Sequence, residues 1–188
     1  MSRRLTHVIG FDDAPFPEAH RGDVLIVGAV YAGEKLSGVV AGKVRRDGAN
    51  ATRVLAALVR GSRFYSQLHV VCVQGIALAG FNVVDLKGLY TALGIPVLVV
   101  SRRRPRVNAI RRALLDHVPA GVRKWRLIEQ AGPMEPVQGL FVQRAGLSLS
   151  DAEALLRRFA ITSKFPEPLR TAHLIAGAIV LGESTHRA

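Results

Sequence analysis

Two adjacent carboxylates, Asp12 and Asp13, end the apolar stretch HVIGFDDAPF before Pro15 stops it, and a third acid, Asp47, stands in RRDG just ahead of a helical pattern. Neighbouring side chains of a strand point to opposite faces, so at most one of Asp12 and Asp13 faces any one site. Carboxylates at the same end of neighbouring or next-neighbouring strands, which lie about 4.8 Å apart, can share a hard cation such as Mg²⁺ or Mn²⁺. A metal held in this way orients an attacking water and neutralises charge on a leaving oxygen, which is what phosphodiester hydrolysis requires. Read alone, each acid is a turn or cap residue, and Asp47-Gly48 is a common turn pair.

The elements that must position these acids follow from the hydrophobic pattern. Residues 6–12, 23–31 and 37–46 read as strands joined by the turn signals HRGD and YAGEKLSG, an antiparallel meander whose first and third strands are expected near the sheet centre, where their ends could meet. NATRVLAALVRGSRF carries Val54, Leu55, Leu58 and Val59 at helical spacing, with Asn50 or Thr52 as its cap. The pattern then turns to βαβ. LHVVCVQG is a buried strand, VVDLKGLYTALG a helix closed by Gly94, PVLVVS a second buried strand and VNAIRRALLDHV a helix. In the last third VQGLFVQRAG reads as a strand, SLSDAEALLRRFA as a helix with a serine cap, and PEPLRTAHLIAGAIVLG as a helix with proline near its first turn. Three meander strands followed by parallel βαβ strands describe an α/β fold, a mixed sheet of ribonuclease H type flanked by helices.

Composition narrows the function. A chain of 188 residues, 49% hydrophobic and 21% charged, is expected to form one globular domain over 1–188. No apolar run reaches the roughly 18–20 residues of a membrane span. MSRRLTH leads into a strand and not into a signal-peptide core, so a cytoplasmic protein without a membrane partner is expected. The lone Cys72, inside HVVCVQG, reads as a buried thiol. The formal net charge is +12, and 21 of the 26 basic residues are Arg, the side chain best matched to phosphate oxygens. These residues cluster in SRRRPR (101–106), in Arg111 and Arg112, and in RKWR (123–126), where Trp125 offers a face for a base. Arg102, Arg103, Arg104, Arg106, Lys124, Trp125 and Arg126 are therefore the expected nucleic-acid contacts; the alternative is a solvated face of an Arg-rich protein. Gly75, Gly80 and Gly88 match neither GxGxxG nor a P-loop.

GFDDAPF, DGANAT, QGIALAGFNVVDLKGLYTALGIPVLVV and FPEPLRTAHLIAGAIV together resemble the hallmark segments of the endonuclease dU family, a relative of endonuclease V, over nearly the whole chain. The resemblance implies a ribonuclease H-like fold and a Mg²⁺- or Mn²⁺-dependent endonuclease acting on DNA with deaminated bases, deoxyuridine first and deoxyinosine second. It also assigns residues. Asp12, Asp47, Gln74 and His173 would be catalytic, Asp12, Asp47 and Gln74 would hold the metal, and Arg102 stands where endonuclease V has a lysine. Two departures accompany it. Gln74 replaces the third acid of endonuclease V and offers a metal only a neutral carbonyl oxygen, for which Asp13 or Asp85 could restore the charge. The Pro-Tyr-x-Pro wedge of endonuclease V is absent from the sequence. A nucleic-acid-binding protein that keeps the fold without efficient catalysis is the alternative function.

Overall fold

A computed structural model describes residues 5–184; His186 lies outside them, as do the first residues of MSRRLTH. The strands are β1 (His7–Asp13), β2 (Asp23–Ala32), β3 (Lys35–Arg45), β4 (Val70–Gln74), β5 (Ala77–Leu78), β6 (Asn82–Val83), β7 (Val97–Ser101), β8 (Glu135–Val137) and β9 (Leu140–Ala145). The helices are α1 (Ala51–Gly61), α2 (Leu86–Leu93), α3 (Val107–His117), α4 (Gly121–Ala131), α5 (Leu149–Phe159) and α6 (Glu167–Leu181). Seven strands build one mixed sheet in the order β3-β2-β1-β4-β7-β9-β8, and β5 and β6 form a separate hairpin. β1, β4 and β7 are parallel neighbours, while β2 and β3 on one side and β9 and β8 on the other run antiparallel to the strand before them.

Strand alternation divides the core in two. Val8, Val70, Cys72, Leu98 and Val100 point to the face covered by α5 and α6, where Leu155, Leu156, Phe159, Leu169 and Ala172 close over them. Ile9, Phe11, Val71, Val73, Val97 and Val99 point to the opposite face, beneath Leu55 and Val59 of α1 and Leu86 and Leu89 of α2. Cys72 is fully buried, and that burial pushes its thiol pKa up to about 12, as expected of an inert core residue.

The meander is as read from the sequence, with one correction. β3 is the edge of the sheet and β2 separates it from β1, so Asp47 does not leave from a central strand. Besides β8, where the sequence predicts a single strand over VQGLFVQRAG, a helix and a hairpin are absent from the sequence reading. RKWR lies within helix α4, and residues 77–83 after β4 turn back on themselves as the β5–β6 hairpin. No helix among the described residues is long and apolar enough to cross a membrane.

Candidate active site

β1, β4 and β7 end at one edge of the sheet, and their last side chains on the α6 face make the site. In the β1–β4 register Phe11 sits opposite Val73, so one step on Asp12 lies beside Gln74 and shares its face. Gln74 in turn pairs with Val100 of β7, two residues before Arg102. Asp12 is 3% exposed, and its Oδ1 accepts the backbone N–H of Asp13 at 2.9 Å. Its Oδ2 lies 2.8 Å from Nδ1 of His173 on α6. An ionised carboxylate only accepts, so Nδ1 carries the proton and the imidazole is oriented by Asp12.

The segment FPEPLRTAH makes this contact possible. Phe165 is buried and lies under the Arg102 guanidinium, 4.1 Å from ring centre to carbon. Glu167 and Arg170 form a tight ion pair across the first turn of α6, and the Thr171 hydroxyl is 2.8 Å from that of Tyr31 on β2. Gly10 supplies the space. A Cβ there would stand 2.6 Å from the Pro168 carbonyl carbon, so α6 can touch β1 only at a glycine. From Gly10 to Asp12 is two strand residues, about 6.6 Å, and from Pro168 to His173 is five helical residues, about 7.5 Å, so the helix start that rests on Gly10 delivers His173 to Asp12.

Gln74 Oε1 is buried and has no hydrogen-bond partner. Gln74, Ser101, Arg102, Arg103 and Phe165 line a cleft of about 470 Å³. Burial lowers the Arg102 pKa and the charge of Asp12 opposes that shift, so the two groups sense each other within the site. An orphaned amide oxygen beside a buried carboxylate fits two oxygen ligands of a hard divalent cation, of the kind that keeps its other positions for water and phosphate. Among the described residues, no three or more His, Cys, Asp or Glu side chains gather as a metal site.

The other expected acids stand elsewhere. Asp13 faces the α1–α2 side, where its Oδ2 accepts the N–H of Ala79 at 2.8 Å. Asp47 reaches the same hairpin from β3. Its Oδ1 accepts the N–H of Phe81 at 2.8 Å, its Oδ2 is 3.2 Å from Arg46 Nε, and its own N–H bonds the Ala79 carbonyl. A Cβ on Gly80, which has φ 82°, would meet Asp47 Oδ1 at 2.4 Å. Asp47 thus braces the β5–β6 hairpin, and nothing in these contacts joins it to Asp12. Asp85 caps α2, accepting from the N–H of Gly88.

Among the basic residues, Arg102 belongs to the cleft, and Arg103, Arg104, Arg106 and Arg126 are exposed around it and along α3 and α4. Lys124 is corrected. It is 3% exposed and its ammonium donates to the Asp47 carbonyl, so it ties α4 to the turn after β3 and is not a surface contact. Burial lowers its pKa against the pull of Asp47. Trp125 is half-buried, with the Arg111 guanidinium 5.9 Å from its ring centre. Phe165 is a site residue that the sequence does not single out. Its signal is only an aromatic ahead of Pro166, and its partner Arg102 lies 63 positions away.

Comparison with known proteins places the chain in a family and the sheet in a known fold. The sequence profile described as endonuclease dU matches residues 4–180. A UPF0215 protein of Deinococcus radiodurans is 64% identical over 181 residues, covering 96% of this chain and 92% of that one. The crystal structure of a protein of unknown function from Archaeoglobus fulgidus superposes with a TM-score of 0.86 at 33% identity, over 93% of this chain and 98% of the other. Endonuclease V of Ciona intestinalis, crystallised with a 24mer DNA containing an inosine followed by a ribo-adenosine, superposes with a TM-score of 0.58 at 12% identity, over 90% and 83%. That likeness is one of fold, and the fold is ribonuclease H-like. With its profile matched almost end to end and its sheet shared with the endonuclease V nucleases, the chain belongs to the endonuclease dU family.

Proposed function

We propose that the chain, acting as one nuclease unit, is a divalent-metal-dependent endonuclease that nicks DNA at or near deaminated bases, deoxyuridine foremost, as a cytoplasmic repair enzyme. The observation that carries this reading is the pairing of the buried Asp12 carboxylate with the orphaned Gln74 Oε1 at the end of two parallel strands, beside His173 and Arg102. Asp12 and Gln74 would hold Mg²⁺ or Mn²⁺, which when bound supplies charge neutralisation at the scissile phosphate and a more acidic water. Asp12 fixes the His173 ring through Nδ1, which leaves proton exchange to Nε2. Arg102, its guanidinium carbon held 4.1 Å above the Phe165 ring centre, presents N–H groups to a phosphate oxygen in the cleft. Family membership and the endonuclease V fold support a nuclease. The DNA in the Ciona complex supports the polymer as partner.

Substitution tests the assignment. Asp12→Asn is expected to lower metal-dependent nicking by at least about 100-fold while the protein stays folded and bound to DNA, since a ligand charge is lost and the backbone contacts are not. His173→Gln is expected to fall by about 10–1000-fold. Full activity in both variants would move the chemistry elsewhere. One observation favours a second reading, a nucleic-acid-binding protein without efficient catalysis: among the described residues no group of three or more His, Cys, Asp or Glu side chains is placed to hold a metal.

A further inference from the structure

A second cleft, of about 510 Å³, opens on the other side of the same sheet edge, lined by Ile76, Ile110, Trp125 and Met134, with Arg104 at its rim. Its buried polar group is Gln143 of β9, which is 3% exposed, while the exposed Glu129 stands with Arg104 among the lining residues. The Gln143 Nε2 donates to the Gly132 carbonyl, and the reverse orientation would set two oxygens against each other, so the amide has one possible sense. Its Oε1 is buried and has no partner. The cleft therefore joins apolar and aromatic walls to one buried acceptor that no side chain satisfies.

We propose that this cleft receives the extruded nucleobase, and that Gln143 Oε1 reads it by accepting a ring N–H. The inference rests on the nuclease reading above. Deamination changes one ring atom in the same sense in both bases concerned. Cytosine N3 and adenine N1 are acceptors, whereas uracil N3 and hypoxanthine N1 carry hydrogen. A buried lone acceptor meets repulsion from the first pair and a hydrogen bond from the second, and leaving it unpaired is costly. Thymine and guanine also carry the N–H. They are disfavoured by the cost of extruding a correctly paired base. The chain geometry suits the traffic: Ile76 follows Gln74 by two residues on one strand end and Arg104 follows Arg102 by two on the next, so a backbone held at Arg102 can turn its base over the sheet edge.

Trp125 is the only tryptophan, so its fluorescence reports this cleft directly. Wild-type protein in chelator, where it cannot nick, is titrated with single-stranded oligonucleotides that contain no thymidine or deoxyguanosine and carry one deoxyuridine, N3-methyldeoxyuridine or deoxycytidine. Deoxyuridine is expected to change Trp125 emission and to bind about 10-fold more tightly than the other two, the worth of one hydrogen bond made against one left unmade. Gln143→Leu should reduce that preference to less than about 3-fold. Ile110→Phe, which fills the cleft and removes no polar group, should abolish the emission change while undamaged DNA still binds; it decides the matter if Gln143→Leu does not fold. Equal binding of deoxyuridine and N3-methyldeoxyuridine by the wild type, or an emission change unaltered in folded Ile110→Phe, overturns the proposal. Failure of the two readings is separable. Discrimination in chelator without nicking in Mg²⁺ or Mn²⁺ refutes the nuclease and keeps the base cleft, and nicking at deoxyuridine without discrimination does the reverse.

Discussion

Burial, reinforced by the Asp12 carboxylate next to it, pushes the Asp13 pKa from its ordinary 3.8 up to about 7. Between those values the folded protein holds a proton that the unfolded chain has released, so stability falls as pH rises from about 4 to about 7 and levels off above. Asp13→Asn keeps an acceptor for the Ala79 N–H and removes the charge. It is expected to raise stability above pH 7 by on the order of 1–3 kcal/mol and to flatten the slope below it, read by urea unfolding across that range. An unchanged slope would show that Asp13 stays ionised in the fold. Gln74 is the complementary case, a neutral group where a charge would strengthen metal capture. Gln74→Asp should shift the metal dependence of nicking to lower concentration. If the wild type is inactive at every metal concentration and the variant gains activity, the binding-protein reading is correct, and a metal titration of both proteins separates the two.

Gly10 and α6 show how an element sets a site. Gly10→Ala places a methyl group 2.6 Å from the Pro168 carbonyl carbon, on backbone that cannot rotate away, so α6 must move off β1. The expected cost is about 1–3 kcal/mol in stability, together with a loss of nicking larger than the loss of DNA affinity, because the Asp12–His173 contact opens while the arginines stay. A variant with full stability and activity would show that the helix is not seated by this contact. The same elements mark what the sequence could convey. Alternation in HVIGFDD correctly separates Asp12 from Asp13, because a strand has only two faces. The βαβ run is legible because its buried strands and capped helices keep distinct periods, and Ser148 does cap α5. The edge position of β3 was not legible, since a meander fixes neighbours and not which side joins the parallel strands. The β5–β6 hairpin escaped because its strands are two residues each and are held by side chains of Asp13 and Asp47 from distant segments. Lys124 looked like a surface cation for the same reason: its partner is a carbonyl 77 positions away.

Across the whole molecule the positive charge, +12 overall, has no acidic counterpart of equal size, and SRRRPR sits at the sheet edge that carries the site. Such a surface binds DNA through counterion release, so affinity should fall steeply with salt. Arg103→Ala and Arg106→Ala, both at exposed positions, should each weaken binding to damaged and undamaged DNA alike and reduce the salt slope by about one. Unchanged affinity and slope would return these arginines to a solvated face. The proposed site of Asp12, Gln74 and His173 is expected to act as a metal-dependent nuclease on deaminated DNA. Its most direct test is the cleavage of matched oligonucleotides carrying deoxyuridine, deoxyinosine or no lesion by wild-type protein and Asp12→Asn, with Mg²⁺, Mn²⁺ or chelator. Nicking of the deoxyuridine strand is expected with metal and none with chelator, with a loss of at least about 100-fold in Asp12→Asn. Equal cutting of the undamaged strand, cutting that persists in chelator, or no cutting by the wild type at any metal concentration would contradict it.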